Sequence, residues 1–306
     1  MIDTHCHIHD TSVYDFAFSR QQGPKKVLNR ADLTPEKLVS RAAENGVTQM
    51  ICVGTTHEDS MTAKGLAEKF PGTVFWSYGI HPDECNQGRL VFGGFGGCCR
   101  SRSGSVSDEL AAEPREDGRE ERASKNNVCL VAIGEVGLDY KDGTEKRVEQ
   151  IQLFEQMLQL AKDNNLPCIF HVREAFDDFF AVVDNFSEIR GAVHSFSDSP
   201  ENLKKSLEHD FYVGVNGLAT FTTLPTPPLE KLLLETDAPF LTPVPFRGKI
   251  NEPVHILDVA NWVSNKLGVS LDIVSEKTTN NARQLFGIRN SVVLSPRAPH
   301  DKRTNL

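Results

Sequence analysis

The feature that most constrains this chain is a regular alternation of short apolar runs with amphipathic stretches of helical period. Apolar runs read as strands at residues 1–8, 47–53, 74–80, 128–135, 167–171, 191–195, 211–215 and 231–237. Between or after them come helical patterns at 57–70, 145–164, 174–185, 200–208, 252–267 and 271–286, and one that opens at Thr34-Pro35-Glu36. In the 145–164 stretch Val148, Ile151, Phe154, Leu158 and Ala161 fall on one helical face. At the Thr34 start the threonine is suited to the N-cap, proline to the first helical position and Lys37 to the third. Strands that alternate with helices predict βαβ units and a parallel sheet. Eight such strands in 306 residues predict an α/β fold of the (β/α)8 TIM-barrel class.

Two stretches interrupt the alternation. Residues 84–127 are rich in Gly, Ser, Arg and Glu, contain Gly93-Gly94-Phe95-Gly96-Gly97, and stand where a helix should join strands three and four. They are expected to form a mobile, low-complexity insertion. The Gly-rich part lacks both the GxGxxG context and the GK[ST] ending of a phosphate loop. Residues 217–230 carry Pro225, Pro227 and Pro228. That link can cross from strand seven to strand eight but is too proline-rich for a full helix. Residues 289–306 have no apolar period and read as a loose tail, which leaves residues 1–288 as the barrel domain.

The chemistry sits where the strand-like runs end. The first contains His5 and His7 in Ile2-Asp3-Thr4-His5-Cys6-His7. Glu135 closes the fourth, and His171, His194 and Asp237 follow the fifth, sixth and eighth. Imidazoles and carboxylates are good ligands for divalent cations. Residues at the carboxyl ends of different barrel strands converge on one pocket. His5 and His7, two apart on a strand, share a face and can share a metal. His171 and His194 can hold a second, and Glu135 offers two oxygens as a bridge. Asp237 can ligate and also take a proton from bound water. One strand-end histidine is commonly structural, but six convergent donors need a common cause. Two cations roughly 3.5–4 Å apart suit an in-line displacement with metal-activated water as the nucleophile.

Composition narrows the partners. The formal net charge is −9, which argues against a broad basic face for long DNA but leaves room for a nucleic acid held in one groove. No run approaches the roughly 20 apolar residues of a membrane helix. Seven cysteines at irregular spacing fit a reducing compartment better than a disulfide framework. Cys6, Cys52, Cys129 and Cys168 read as buried fillers, and Cys98-Cys99 has no zinc-knuckle spacing. Met1 leads directly into a strand-like run with no secretory pattern, so a cytoplasmic setting is expected.

Further segments extend the pattern: Gly79-Ile80-His81-Pro82, Gly134-Glu135-Val136-Gly137-Leu138-Asp139-Tyr140, His171-Val172-Arg173, His194-Ser195-Phe196, Glu235-Thr236-Asp237-Ala238-Pro239 and Arg247-Gly248-Lys249-Ile250-Asn251-Glu252-Pro253. Together and in this order they resemble the TatD-type metal-dependent deoxyribonucleases of the amidohydrolase-like barrels. The resemblance implies that His5, His7, Glu135, His171, His194 and Asp237 ligate two divalent cations (Mg²⁺, Mn²⁺ or Zn²⁺). It implies hydrolysis of DNA phosphodiesters, with 3′-to-5′ action on single strands. Catalysis is expected of Asp237 and Glu135. His81, Arg173, Arg247 and Lys249 are expected at the substrate, with Asp139 and Glu235 orienting the ligands. The longer 84–127 segment and the short link after strand seven depart from the family's pattern. Two alternatives use the same residues: an amide or ester hydrolase such as a D-aminoacyl-tRNA deacylase, and an inactive metal-binding paralogue.

Overall fold

The computed structural model describes residues 1–20, 30–86 and 130–289. Most of the expected insertion (87–127) and tail (290–306), with Cys98, Cys99, Cys129 and His300, lies outside the described residues.

The elements run β1 (Ile2–Cys6), α1 (Thr11–Arg20), α2 (Pro35–Glu44), β2 (Gln49–Cys52), α3 (His57–Lys69), β3 (Val74–Tyr78), β4 (Leu130–Asp139), α4 (Arg147–Asp163) and β5 (Cys168–Arg173). They continue through α5 (Phe176–Val183), β6 (Gly191–Val193), α6 (Pro200–Glu208), β7 (Tyr212–Val215), β8 (Leu232–Leu234), α7 (Ile256–Leu267) and α8 (Leu271–Phe286). The eight strands are hydrogen-bonded in sequence order, and every neighbouring pair is parallel. Beyond β8 the chain returns to β1. Asp237 N donates to His5 O and His7 N to Ala238 O, both at 2.8 Å. A parallel bridge between Cys6 and Ala238 completes this seam, and the sheet becomes a nearly closed barrel.

Two apolar layers hold the barrel. One lies inside it: Ile2, Ile51, Val53, Val131, Ile169, Tyr212 and Leu233 from the strands meet Leu285 and Phe286 at the end of α8. The other lies between strands and helices, with Phe154, Phe170, Phe179 and Phe211 among its large members. Local signals set the helix ends. The hydroxyls of Thr34, Thr56, Ser199 and Ser270 accept from the third helical amide, and Gly268 and Gly287 take the left-handed conformation that stops α7 and α8.

The link from β7 to β8 has no α-helix, as its prolines predict, only 3-10 turns at Gly217–Thr220 and Leu229–Lys231. Trp262 of α7 shares a small hollow there with Val213, Val215, Leu224, Pro225 and Pro227. Two details differ from the sequence reading. Residues 11–20 form a helix, with Asp10 Oδ1 accepting from the amides of Ser12 and Val13. The fourth strand continues four residues past Glu135, and its pairing with β5 shifts between Ile133 and Val136. A similar shift lies between Asp3 and Cys6. Such irregularities re-aim side chains beside active sites. Here they bracket Glu135 and His5: Ile2 belongs to the barrel interior and Cys6 to the outer layer, so the inward parity changes between them.

Candidate metal centre

Strand ends bring six donors together. On one side His5 Nε2 lies 3.2 Å from His7 Nε2 and 3.5 Å from Glu135 Oε2. Asp237 Oδ1 completes this group at 3.7 Å from His5 Nε2 and 3.5 Å from His7 Nε2. On the other side Glu135 Oε1 is 2.7 Å from His171 Nδ1 and 2.6 Å from His194 Nε2. Those two nitrogens are 3.2 Å apart. Glu135 therefore directs one oxygen at each histidine pair. The rings of His5 and His194 stack at 4.1 Å between centroids and join the two halves.

The donor set fits divalent cations. Two imidazole nitrogens at 3.2 Å repel through their lone pairs unless a proton or cation lies between them. Ligand bonds of about 2.0–2.2 Å place neighbouring donors roughly 3–3.5 Å apart. Nitrogen and carboxylate oxygen together suit Zn²⁺ or Mn²⁺, and Mg²⁺ with added waters. Several three-residue groups have the required closeness, among them His5–His7–Glu135, His5–His194–Asp237 and Glu135–His171–His194.

Partners behind the donors set their protonation. His7 Nδ1 donates to Val53 O at 3.0 Å, which leaves Nε2 free to face the centre. His171 Nε2 donates to Asp139 Oδ2 at 2.7 Å while Nδ1 faces Glu135. Burial disfavours a charged His171 ring, yet the two carboxylates outweigh it and lift the pKa to about 9. Burial and the neighbouring His194 push His5 down to about 4. Burial opposes ionisation of Glu135 and Asp237, but the surrounding imidazoles hold both below the usual carboxylate range. Burial also raises Glu235, to about 7. Its Oε1 accepts from Ser195 N at 2.6 Å and Asn216 Nδ2 at 3.3 Å, and stands 3.9 Å from His194 Nδ1.

Close approaches explain two glycines. A Cβ on Gly79 would stand 2.1 Å from Glu135 N, so only glycine lets β4 pass there. A Cβ on Gly214 would meet Glu235 Oε2 at 2.2 Å.

The remaining expected residues divide. His81 stands beside the donors: its Nε2 is 3.9 Å from Glu135 Oε1, and its ring meets His171 edge-on at 4.4 Å. Its Nδ1 accepts from Asp83 N at 3.2 Å, so the ring proton sits on Nε2, toward the centre. Asp139 joins His81 and His171 in a further donor group. Arg173 is exposed at the end of β5, in register with Asp139. Arg247 and Lys249 are exposed on the loop after β8, and their recorded contacts are with loops: the Arg247 guanidinium lies 3.6 Å from the Phe221 ring centroid, and Lys249 Nζ lies 5.1 Å from that of Phe246. Glu252 stands at the N-cap position of the 3-10 turn Pro253–His255 without a capping side-chain bond and pairs with Arg41 at 2.6 Å.

Several supporting groups carry no sequence expectation. Asp3 is fully buried and accepts from Thr236 N at 3.0 Å and Thr236 Oγ1 at 2.6 Å, tying β1 to the segment after β8. Burial raises its pKa to about 8. Asn216 donates to both Ser195 Oγ and Glu235. His9 and Asp59 form a pair at 2.9 Å. A residue placed an even number from a strand-end ligand, as Asp139 and Arg173 are, is one readable signal for such roles; Asp59 and Asn216 lack it.

Comparison with known proteins agrees with this arrangement. The model of the TatD related DNase family matches residues 2–287. The "Uncharacterized metal-dependent hydrolase YcfH" of Escherichia coli K12 is 29% identical over 297 residues, covering 94% of this chain and 96% of its own. The "3'-5' ssDNA/RNA exonuclease TatD" of Pantoea ananatis is 32% identical over 267 residues, covering 83% and 93%. Among solved structures, the TatD homologue YjjV from Escherichia coli K12 superposes with a TM-score of 0.66 at 24% identity, covering 94% of this chain and 98% of that one. A TatD family hydrolase from Entamoeba histolytica gives 0.68 at 21%. No helix among the described residues is long and apolar enough to cross a membrane. With a family match across nearly its whole length and a barrel whose strand ends gather this set of donors, the chain belongs to the TatD-related DNase family of metal-dependent hydrolases.

Proposed function

We propose that this protein hydrolyses phosphodiester bonds in DNA, removing nucleotides from 3′ ends of single strands with the help of two divalent cations. The observation that carries the proposal is the position of Glu135, which turns one oxygen toward His5 and His7 and the other toward His171 and His194. In this reading His5, His7, Asp237 and Glu135 would hold one cation, and His171, His194 and Glu135 the other. Bound cations supply Lewis acidity, which activates water at neutral pH and neutralises charge on phosphate oxygens. The side chains do the rest. Asp237, kept ionised by its imidazole neighbours, takes the proton of the attacking water. His81 offers its Nε2 proton to a phosphate oxygen. Arg173, Arg247 and Lys249 grip flanking phosphates, Arg173 and Arg247 through planar forks. Asp139 and Glu235 steady His171 and His194. The name of the Pantoea ananatis relative, a 3'-5' ssDNA/RNA exonuclease, supports both the substrate and the polarity. A cytoplasmic setting accords with the unpaired thiols of Cys6, Cys52, Cys85 and Cys168.

The test is direct. Purified protein with Mg²⁺ or Mn²⁺ releases mononucleotides from an oligonucleotide labelled at its 5′ end, shortening it from the 3′ side, and EDTA stops the release. Glu135→Ala lowers turnover by at least about 10²-fold, the scale of losing one preorganised electrostatic group, while circular dichroism shows the fold retained. No release with any divalent cation refutes the nuclease reading. Unchanged turnover in Glu135→Ala removes that carboxylate from the mechanism.

A further inference from the structure

Strand β2 contributes no donor side chain to the centre, yet the three residues that follow it face the centre with their carbonyls. Val53 O accepts from His7 Nδ1 at 3.0 Å. Gly54 O accepts from Glu135 N at 2.8 Å, and Thr55 O from His81 N at 2.8 Å. Three consecutive carbonyls thus fix three groups from β1, β4 and the loop after β3. Val53 N donates to Cys6 O at 3.0 Å and Gly54 N to Ser77 Oγ at 3.4 Å, and the Thr55 end of the segment is held by one carboxylate. Asp59, in the first turn of α3, accepts through Oδ2 from Thr55 N at 2.8 Å and Thr55 Oγ1 at 3.1 Å. Its Oδ1 accepts from His9 Nε2 at 2.9 Å, and the His9 side chain is fully buried. Asp59 N is itself held by Thr56 Oγ1 at 3.1 Å.

We propose that Asp59, braced by His9, is a positioning residue that locks the Val53–Gly54–Thr55 carbonyls and thereby aims His7, Glu135 and His81 at the candidate centre. The inference rests on the reading of a divalent-cation centre but not on the identity of the substrate. Its physical content is a tautomer and a direction. A carbonyl at His7 Nδ1 keeps the proton there and leaves the Nε2 lone pair for a ligand. If Thr55 is released, the three carbonyls rotate with the freed segment, and all three groups lose their aim together.

Three forms decide it: wild type, Asp59→Ala and Asp59→Asn. The asparagine keeps an oxygen for the Thr55 amide and hydroxyl and gives up only the acceptor for His9. Nitrogen NMR of the metal-free protein at alkaline pH, where the ring is neutral, reads the His7 tautomer. Calorimetric titration with Mn²⁺ reads affinity, and thermal unfolding reads stability. In wild type His7 carries its proton on Nδ1. Asp59→Ala mixes the tautomers and weakens Mn²⁺ binding about 10- to 100-fold, and Asp59→Asn recovers most of that loss. Asp59→Ser, which keeps a polar group at the start of α3 but cannot span His9 and Thr55, gives the same readout should the alanine form not fold. A lower melting temperature with wild-type tautomer and Mn²⁺ affinity overturns the proposal, leaving Asp59 a purely structural residue. Asparagine as weak as alanine also overturns it, because the carboxylate charge rather than its grip on Thr55 would then be responsible. If wild type binds no Mn²⁺, the cation-centre reading fails, and the tautomer comparison still decides the role of Asp59.

Discussion

His171 shows how one residue couples the site to solution. Its Nε2 faces Asp139 and its Nδ1 faces Glu135, each at 2.7 Å, so the metal-free ring carries two protons near neutral pH despite its burial. A cation that binds at Nδ1 must displace one of them. Because the pKa is raised to about 9, the cost is paid throughout the neutral range and vanishes only above that value. Cation affinity therefore rises as pH increases from 7 toward 9 and levels off beyond. Calorimetry at pH 7 in two buffers of different protonation enthalpy should give different heats; identical heats in both would contradict this picture. Donors such as His171 and Glu135 are legible in the sequence because side-chain chemistry and strand-end position advertise them. Asp59 and the Val53–Thr55 carbonyls are not. A backbone oxygen has no residue identity, and a carboxylate such as Asp59 acquires its partners only when β1, β2 and α3 are packed together.

At the level of elements, the strands supply precision through their irregularities. Apolar period and capping residues foreshadow the eight strands and most helices, and the prolines of 217–230 foreshadow the missing helix. The pairing shifts within β1 and β4 left no comparable trace, since a bulge depends on both partners. Helix α1 is weakly patterned in sequence, and Asp10 ahead of Thr11-Ser12 is the cue to its start. A close backbone approach lies just past β3, where Gly79 passes the peptide of Glu135 on β4. Gly79→Ala forces backbone against backbone, which no side-chain rotation relieves. Destabilisation of about 1–3 kcal/mol is expected, as for other overpacked sites, together with weaker Mn²⁺ binding. Urea unfolding and calorimetry check the two effects separately. A variant as stable as wild type with intact affinity would show that β4 has room to yield.

For the molecule as a whole, charge sets the terms of binding. The chain is acidic, at a formal −9, and the candidate centre adds two ionised carboxylates to the place where the proposed function would bring a phosphate. In the proposed reaction, bound cations would supply the positive charge that draws a phosphate to that place. Binding of a hydrolysis-resistant phosphorothioate single strand, read by fluorescence anisotropy, should require Mg²⁺ or Mn²⁺ and collapse on chelation. Equal affinity with EDTA would mean that Arg173, Arg247 and Lys249 hold the strand on their own.

The seam between the first and last strands has one more consequence. His5 and His7 precede Asp237 and Ala238, whose backbones lock onto theirs, by more than two hundred residues. A polypeptide being synthesised therefore holds these two histidines long before the segment that closes the barrel over them exists. Closure of the ring couples the first strand to the last, so the candidate centre is assembled by long-range contacts rather than by neighbours in sequence.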